Sequence, residues 1–302
     1  MDIGLVGLGK MGGNMRTRLR NAGHTVVGYD RNPDVSDAGS LEEMVEKLPS
    51  PKVVWVMVPA GDPTRETVLA LGDLLGEGDL VVDGGNSRWT DDIANAELLA
   101  EKKIGYVDCG VSGGVWGLEN GYALMCGGSD EDVAKVQPAF DALRPEGDSG
   151  FVHAGKTPGA GHFAKMVHNG IEYAIMQSYA EGFELLEKVD LVDNVTEVFD
   201  SWREGTVIRS WLLDLLVDAL EKNPHLEDVS GYTVDSGEGR WTVEEAIANS
   251  VPMPVISASL FSRFASRQQE SPTMQAVAAL RELAGEGLKP SAQGKRKLFK
   301  RT

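Results

Sequence analysis

Residues 1–30 have the sequence MDIGLVGLGKMGGNMRTRLRNAGHTVVGYD, and this stretch decides the fold of the first part of the chain. The apolar run at residues 3–6 has the length and composition of a buried strand. A glycine-rich turn, a helix-like segment and a second strand that ends at Asp30 follow it. This order of strand, turn, helix and strand predicts the start of a Rossmann-type dinucleotide-binding unit.

The turn contains Gly7, Gly9 and Gly12 in the spacing G-x-G-x-x-G. We expect Gly7 to make the tight turn, Gly9 to let a pyrophosphate approach the backbone, and Gly12 to let helix and strand pack closely. The pyrophosphate would lie at the helix N-terminus, where unpaired N–H groups point outward. The motif alone is weak evidence, but here an acidic residue, Asp30, follows Gly12 by eighteen positions, which strengthens it.

Asp30 also bears on the choice of cofactor. A carboxylate at the end of the second strand accepts hydrogen bonds from the adenosine ribose and repels a 2′-phosphate, which favours NAD over NADP. Arg31 leaves NADP open, because an arginine there can pair with a 2′-phosphate. The predicted cofactor-binding residues are Gly7, Leu8, Gly9, Met11, Gly12, Asp30, Arg31, Val58, Pro59 and Asn86.

Strand-like and helix-like segments alternate over the first half of the chain, which is typical of a doubly wound, mostly parallel sheet. The predicted strands are residues 3–6, 25–29, 53–58, 80–83, 106–109, 123–126 and 151–153, with helices at 64–75 and 90–102 among the connections. Beyond residue 161 the pattern becomes helical, at 163–189, 192–203, 210–219, 243–249 and 255–284. We therefore predict a Rossmann domain at residues 1–160 and an all-helical domain for substrate binding and oligomerisation at 161–302.

The composition excludes several classes of protein. The net charge is −17, so the phosphates of a nucleic acid would be repelled. Such acidity also suits a protein that stays soluble at high salt, and the alternative interpretation is an ordinary acidic enzyme. No apolar run is long enough to span a membrane, and the first residues form a strand, so we expect no signal peptide and a cytoplasmic location. Cys109 and Cys126 lie in apolar segments and are expected to be buried thiols.

Acid–base chemistry is indicated by the segment GAGHFAKMVHNGIEYAIMQ at residues 159–177. Lys165, His168, Asn169 and Glu172 are spaced by three, four and seven residues from the lysine, so they share one face of a helix. An amine, an imidazole, an amide and a carboxylate held together suit proton transfer. The face predicted to join the core is formed by Ala164, Val167, Ile171, Ala174 and Ile175.

Four motifs show that the chain resembles the 6-phosphogluconate dehydrogenases (decarboxylating), in their short form of roughly 300 residues, within the β-hydroxyacid dehydrogenase group. The motifs are DGGNS at 83–87, VSGG at 111–114, KMVHNGIEY at 165–173 and GRWT at 239–242. The glycine turn, the serine–glycine motif and Lys165 would fit the wider group equally well. Asn86 and the segment from His168 to Tyr173 are the features that point to the 6-phosphogluconate dehydrogenases within this group.

The resemblance implies oxidative decarboxylation of 6-phosphogluconate to ribulose 5-phosphate with reduction of NAD, without a metal. Lys165 would take the proton of the substrate 3-hydroxyl and later protonate the keto oxygen, and Glu172 would protonate C1. The substrate carboxylate and hydroxyls would be held by Asn86, Ser112, Gly113, Gly114, His168 and Asn169. Tyr173 and Arg263 would hold the phosphate. A homodimer or homotetramer is also implied, and the segment 211–213 is a candidate interface.

The sequence departs from the family pattern near its phosphate pocket. Long members carry a lysine and a threonine where this chain has Ser236 and Glu238, and a carboxylate there would repel a phosphate. A basic tail at residues 289–302 is a candidate replacement for the missing cations. Two alternatives therefore stay open: a non-decarboxylating dehydrogenase of another β-hydroxy acid or an unphosphorylated aldonate, and an inactive cofactor-binding regulatory protein. Taken alone, each predicted site residue could instead have a purely structural role. Ser112 could cap a helix, for example, and Arg263 could form a surface ion pair.

Overall fold

The computed structural model describes residues 1–284 of the chain, and its first part is built on one seven-stranded sheet. The basic tail predicted at residues 289–302 lies outside the described residues. All seven predicted strands are present. They are Asp2–Val6 (β1), Thr25–Tyr29 (β2), Val53–Val56 (β3), Leu80–Asp83 (β4), Gly105–Ser112 (β5), Ala123–Gly127 (β6) and Phe151–Gly155 (β7).

The strands lie in the order β2-β1-β3-β4-β5-β6-β7. Every pair is parallel except β5 with β6, in which Cys109 lies opposite Cys126. The chain therefore forms the predicted doubly wound sheet, in which parallel strands need helical crossovers that cover both faces. The carboxyl ends of β1, β3, β4 and β5 share one edge, which places the loops after these strands side by side.

Helices cover both faces of the sheet and form two apolar layers. On β3, Trp55 packs into the layer that contains Phe140, whereas its neighbours Val54 and Val56 pack into the layer that contains Leu71. Alternate residues of a strand point to opposite faces, so a strand buried on both sides needs a continuous apolar run. The helices of this part are Lys10–Asn21 (α1), Leu41–Glu46 (α2), Asp62–Leu74 (α3), Trp89–Ala100 (α4), Gly117–Asn120 (α5) and Asp130–Leu143 (α6).

Only helices occur among the described residues after β7, as predicted. They are Ala160–Lys188 (α7), Val195–Ser201 (α8), Trp211–Lys222 (α9), Glu238–Ala248 (α10), Pro254–Ser266 (α11) and Pro272–Leu283 (α12). The run predicted at 255–284 is two helices because Pro272, which lacks a backbone N–H, begins a new one. A small core around Phe199, Leu213 and Val217 joins α8 and α9.

The contacts divide the chain into two compact units. The first comprises Met1–Glu172 and Gly237–Pro252, and the second comprises Tyr173–Ser236 with the residues from Met253 onward. Helix α7 contributes residues to both units, and α10 belongs to the first. The predicted domain division between residues 160 and 161 stays a prediction.

The prediction for the apolar face of α7 is wrong. Ile171 is 49% exposed and Ile175 is 37% exposed, and the other three residues of that face, Ala164, Val167 and Ala174, are only partly buried. Two residues of the polar face, Lys165 and Asn169, are buried instead, whereas His168 is exposed and Glu172 is half-buried. The spacing of apolar residues predicts an apolar helix face. It does not predict whether residues of the same chain or another surface cover that face.

The predicted interface segment 211–213 needs a similar correction. Trp211 is exposed, but Leu213 is fully buried in the core between α8 and α9. Cys109 and Cys126 are buried free thiols, as predicted. Within residues 1–284 no helix has the length and apolar character needed to cross a membrane.

Candidate active site

The glycine-rich turn between β1 and α1 has the backbone that its sequence predicts. Gly7 has a φ of 90°, a conformation that disfavours residues with a side chain. A Cβ on Gly12 would collide with the carbonyl oxygen of Gly7, so helix and strand can approach this closely only without it. The backbone N–H of Leu8 donates to Oδ2 of Asp30 at 2.6 Å, which fixes the carboxylate beside the turn.

This turn fits a dinucleotide. A Cβ built on Gly9 meets no atom within 4 Å, so space for a ligand lies beside the backbone there. Gly9 is also the N-cap of α1 and offers no side chain to the first N–H groups of that helix, which are therefore available to a pyrophosphate. Val58 packs near Gly7, while Pro59 and Arg31 are exposed. Met11 is half-buried in the first turn of α1.

The polar groups of α7 meet around Asn169. The ammonium of Lys165 donates to Oδ1 of Asn169 at 2.5 Å, and Nδ1 of His168 lies 3.0 Å from the same oxygen. His168 also lies 3.8 Å from a carboxylate oxygen of Glu172. Burial lowers the pKa of Lys165, although the negative charges of Glu238 and Glu172 partly offset this. A lysine with a lowered pKa can act as a base near neutral pH.

Strand β5 brings the serine–glycine motif into the same unit. A Cβ on Gly110 would collide with the side chain of Lys165, so this glycine makes room for the lysine. Ser112 ends the strand and is half-buried. Gly113 and Gly114 follow with φ values of 140° and 54°, which expose their backbone in a tight turn.

Glu238, which differs from the threonine of long family members, belongs to the group of polar side chains around Lys165, which we call the lysine cluster. It is 2% exposed, and burial raises its pKa to about 7. The positive charge of Lys165 and the side chain of Asn86 act in the opposite direction. Asn86 itself is half-buried in the loop after β4. The structure thus brings Lys165, Asn86 and Glu238 together from three distant segments.

The sequence interpretation also missed a buried network around His162. Nδ1 of His162 lies 2.8 Å from Asp92, and Nε2 lies 3.1 Å from the carbonyl oxygen of Gly85, next to Asn86. Tyr106 donates to the other oxygen of Asp92 at 2.8 Å. The only sequence signal was the position of His162 three residues before Lys165, on the same helical face.

The charges of this network perturb one another. Burial by itself would lower the pKa of His162, but the carboxylate of Asp92, with Asp83 and Asp108, raises it to about 10. Burial raises the pKa of Asp92 to about 7, against the opposing charge of His162. We infer that the histidine is a buried cation at neutral pH and that it holds the loop carrying Asn86 through Gly85.

Tyr173 and Arg263, predicted to bind a phosphate, lie together in the second compact unit. The guanidinium of Arg263 stacks 3.5 Å from the centre of the Tyr173 ring. It also donates to the carbonyl oxygen of Val234 at 2.8 Å. The hydroxyl of Tyr173 lies 3.2 Å from Oγ of Ser236 and accepts from its backbone N–H at 3.2 Å. Tyr173 therefore contacts the cation of Arg263 through its ring and the hydroxyl of Ser236 through its own hydroxyl.

Fold and site together define a dinucleotide-dependent oxidoreductase with a buried lysine in its reactive cluster. Family models agree: the NAD binding domain of 6-phosphogluconate dehydrogenase matches residues 2–145, and the C-terminal domain of 6-phosphogluconate dehydrogenase matches residues 161–300. The chain belongs to the 6-phosphogluconate dehydrogenase family.

Two relatives are of similar length to this chain. The NAD(+)-dependent, decarboxylating 6-phosphogluconate dehydrogenase of Haloferax volcanii is 41% identical over 280 residues, covering 89% of this chain and 92% of the relative. The putative 6-phosphogluconate dehydrogenase YqeC of Bacillus subtilis is 39% identical over 94% of this chain and 98% of its own. The solved 6-phosphogluconate dehydrogenase of Plasmodium falciparum matches with a TM-score of 0.82 and 26% identity, over 98% of this chain and 67% of that one.

Proposed function

We propose that this protein catalyses the NAD-dependent oxidative decarboxylation of 6-phosphogluconate to ribulose 5-phosphate and carbon dioxide. The observation that carries the proposal is the buried Lys165, whose pKa burial lowers, within a cluster that contains Asn169 and Glu172. Family membership supplies the substrate class, since the Haloferax volcanii relative is named for this reaction. NAD, when bound, accepts the hydride that leaves C3 of the substrate.

Lys165 acts first as a general base and then as a general acid. As a neutral amine it accepts the proton of the 3-hydroxyl while the hydride leaves C3. As an ammonium it then donates a proton to the new carbonyl oxygen, and this draws electrons from the bond between C2 and the carboxylate carbon. Carbon dioxide leaves, and an enediol remains. Glu172, which is half-buried on the same helical face, protonates C1 of the enediol, while the amine of Lys165 takes back the proton of the hydroxyl on C2, and ribulose 5-phosphate results. Water then returns a proton to Glu172, and Lys165 gives one up.

The remaining predicted groups orient the substrate. Asn86, Ser112, Gly113, Gly114, His168 and Asn169 supply hydrogen bonds to its carboxylate and hydroxyls. Such positioning accounts for a large part of catalysis, because a hydroxyl misplaced by about 1 Å loses its alignment with the base. The contact of Asn169 with both Lys165 and His168 supports a common site for these residues.

Tyr173 and Arg263 are proposed to bind the phosphate of the substrate. A guanidinium that stacks on an aromatic ring can still donate to an anion from its edge, through N–H groups other than the one that bonds the carbonyl oxygen of Val234. Ser236 offers a third donor beside them. The predicted repulsion of a phosphate by Glu238 stays a prediction, as does the contribution of the basic tail.

NAD is the proposed cofactor in preference to NADP. The support is the Asp30 carboxylate, which Leu8 holds beside the glycine turn. A second negative group, the 2′-phosphate of NADP, would be repelled at that point. Arg31 is exposed and can weaken this preference.

The test is an assay of NADH absorbance with purified protein. We expect reduction of NAD with 6-phosphogluconate and less reduction of NADP, at low and at molar salt. Gluconate, which lacks the phosphate, is the matched control and should react poorly. Turnover of gluconate in preference to 6-phosphogluconate would contradict the phosphate site, and no reaction with either acid would contradict the enzymatic proposal.

We also propose a homodimer or homotetramer. The exposed apolar residues of α7, among them Ile171, Ile175, Met176 and Leu185, support this, because such a surface is unfavourable in water unless another copy covers it. Light scattering after size-exclusion chromatography measures the assembly directly. A monomer at micromolar concentration would contradict the proposal. The cytoplasmic location and the adaptation to high salt stay predictions.

A further inference from the structure

The segment at residues 233–235, which leads toward α10, is fastened to the end of α11 by two arginines. Arg263 lies in the last turn of α11, and Arg267 follows the helix directly. Nε of Arg267 donates to the carbonyl oxygen of Thr233 at 2.8 Å, and its Nη2 pairs with Oδ2 of Asp235 at 2.6 Å. Arg263 donates to the carbonyl oxygen of the residue between them at 2.8 Å. Each residue of the segment is therefore held from α11.

The ion pair of Arg267 with Asp235 is largely withdrawn from water. The side chain of Asp235 is 2% exposed and that of Arg267 is 23% exposed. Water and salt screen such a pair less than they screen a pair at the surface, and a guanidinium with two bonded donors has a fixed orientation. The pair therefore fixes the backbone of the segment more firmly than an exposed ion pair would.

The next residue, Ser236, is the one whose position this backbone determines. Its N–H donates to the hydroxyl oxygen of Tyr173 at 3.2 Å, and its Oγ lies 3.2 Å from the same oxygen. Since Tyr173 accepts from this N–H, the hydrogen of its own hydroxyl remains available for an acceptor such as an anion. A serine hydroxyl is uncharged and short, so its value as a donor depends on accurate placement.

We propose that Arg267 is a positioning residue that determines specificity for a phosphorylated sugar acid. Through Thr233 and Asp235 it fixes Ser236 and Tyr173 beside the guanidinium of Arg263, so that these donors together select an acid with a phosphomonoester over the same acid without one. Arg267 does not contact the substrate, because it acts through the segment to which it is bonded. The inference rests on the proposed function, in which Tyr173 and Arg263 bind the phosphate.

The first test measures binding without NAD, so that no reaction takes place. Wild type and Arg267→Met are titrated calorimetrically with 6-phosphogluconate and with gluconate. The variant should bind 6-phosphogluconate about tenfold more weakly, which is the effect of losing one well-aligned hydrogen bond to a charged group. Its Kd for gluconate should change less than about twofold. Equal weakening for both acids, or no change in folded Arg267→Met, would overturn the inference.

A conservative variant covers the case in which Arg267→Met does not fold, which thermal unfolding detects. Arg267→Lys keeps the positive charge, but a single ammonium cannot reproduce the fork that bonds two acceptors. Its Kd for 6-phosphogluconate should lie between those of wild type and Arg267→Met, or about threefold above wild type if the methionine variant is unfolded. A wild-type Kd in Arg267→Lys together with an unfolded Arg267→Met would show a merely structural role.

The matched control is Arg203→Met in the same compact unit. Nε of Arg203 pairs with Asp214 at 2.9 Å, so this variant also loses an arginine ion pair, but one that does not hold the segment at 233–235. Both Kd values should stay at those of the wild type. A loss of 6-phosphogluconate affinity as large as that of Arg267→Met would contradict a specific role for Arg267.

A double-mutant cycle separates positioning from direct attraction of the phosphate. Ser236→Ala already removes one of the donors that Arg267 places, so adding Arg267→Met to it should weaken 6-phosphogluconate binding by about threefold or less. A full further loss of about tenfold would mean that Arg267 acts on the phosphate by itself, and the positioning role would be wrong.

The last test follows turnover. In Arg267→Met the KM for 6-phosphogluconate should rise about tenfold and kcat should change less than about twofold, because the lysine cluster belongs to the other compact unit. A lower kcat with an unchanged KM would overturn the inference. If wild type turns over neither acid, the proposed function fails, whereas a Kd for 6-phosphogluconate that depends on Arg267 still supports the selection of a phosphate.

Discussion

The glycine turn and the lysine cluster belong to the same compact unit, but they are built in different ways. The turn uses residues that are close in sequence, and its properties come from missing side chains and from one carboxylate, Asp30. The lysine cluster joins Asn86, Lys165 and Glu238, which are separated by more than seventy residues at each step. One region is defined by backbone shape and the other by the mutual effect of buried charges.

This difference means that the two regions should respond to different changes. A change of shape at the turn should weaken cofactor binding and leave the chemistry intact. A change of charge or space around Lys165 should slow the chemistry and leave cofactor binding intact. The following variants test this separation.

Lys165→Met should have the largest effect. Removing the base should lower kcat by about a thousandfold or more, because proton transfer by a positioned side chain contributes roughly that factor. The dissociation constant for NAD should stay close to that of the wild type, since the glycine turn is untouched. Steady-state kinetics and a fluorescence titration with NAD measure the two quantities.

Lys188→Met, at the exposed end of the same helix, is the matched control and should retain full activity. Equal losses of kcat and of NAD affinity in Lys165→Met would contradict the separation of the two regions.

A single added methyl group can be placed in each region. Gly110→Ala should displace the side chain of Lys165 and lower kcat by about a hundredfold without changing NAD affinity. Gly9→Ala fills space that is open beside the backbone, so it should weaken NAD binding by about tenfold or more and leave thermal stability unchanged. The φ of Gly9 is −61°, which alanine adopts without strain.

Kinetics and NAD titration of both variants decide the outcome. The reverse pattern, with Gly110→Ala losing NAD affinity and Gly9→Ala losing only kcat, would mean that the two sites are wrongly assigned.

His162→Gln should change how stability depends on pH. The pKa of His162 rises from an ordinary value of 6.5 to about 10 in the folded protein. Its contribution to the free energy of unfolding is therefore complete below about pH 6.5 and is lost as the pH rises to about 10. The melting temperature of the wild type should fall over this range more steeply than that of His162→Gln.

His225→Gln is the control, because His225 lies at the surface beside Glu187 and an exposed pair contributes little. A wild-type slope in His162→Gln would show that the histidine is not a buried cation.

Asp30→Ala should have the smallest effect and sharpen the description of the glycine turn. Loss of the carboxylate that Leu8 holds should raise the KM for NAD by about tenfold and leave the KM for NADP unchanged or lower. Kinetics with both cofactors measure this, and Asp34→Ala, in the same exposed loop, is the control. An unaffected KM for NAD would contradict the cofactor assignment.

The same contrast explains what the sequence could predict. The seven strands and the glycine turn follow from local patterns, since apolar runs and glycine spacing record the backbone directly. The face shared by Lys165 and Asn169 also follows from helical spacing. The side of α7 that is buried does not, because the exposed Ile171 has the same apolar character as a core residue.

Local sequence patterns could not predict contacts between residues that lie far apart in the chain. His162 and Asp92 are 70 residues apart, and neither spacing nor composition connects them. For Glu238 the sequence predicted only that its carboxylate, which replaces a residue of the family motif, would repel a phosphate. Its effect on Lys165 depends on burial, and burial depends on the packing of α10 against α7 through Thr242. Buried charges therefore had to be found in the structure.

The most direct test of the central claim measures carbon dioxide and NADH in the same reaction. Purified protein is mixed with NAD and 6-phosphogluconate, and both products are quantified as the reaction proceeds. The proposed roles of Lys165 and Glu172 predict one carbon dioxide released for each NADH formed. NADH without carbon dioxide would contradict them, because the lysine cluster would then support oxidation of a hydroxy acid but not its decarboxylation.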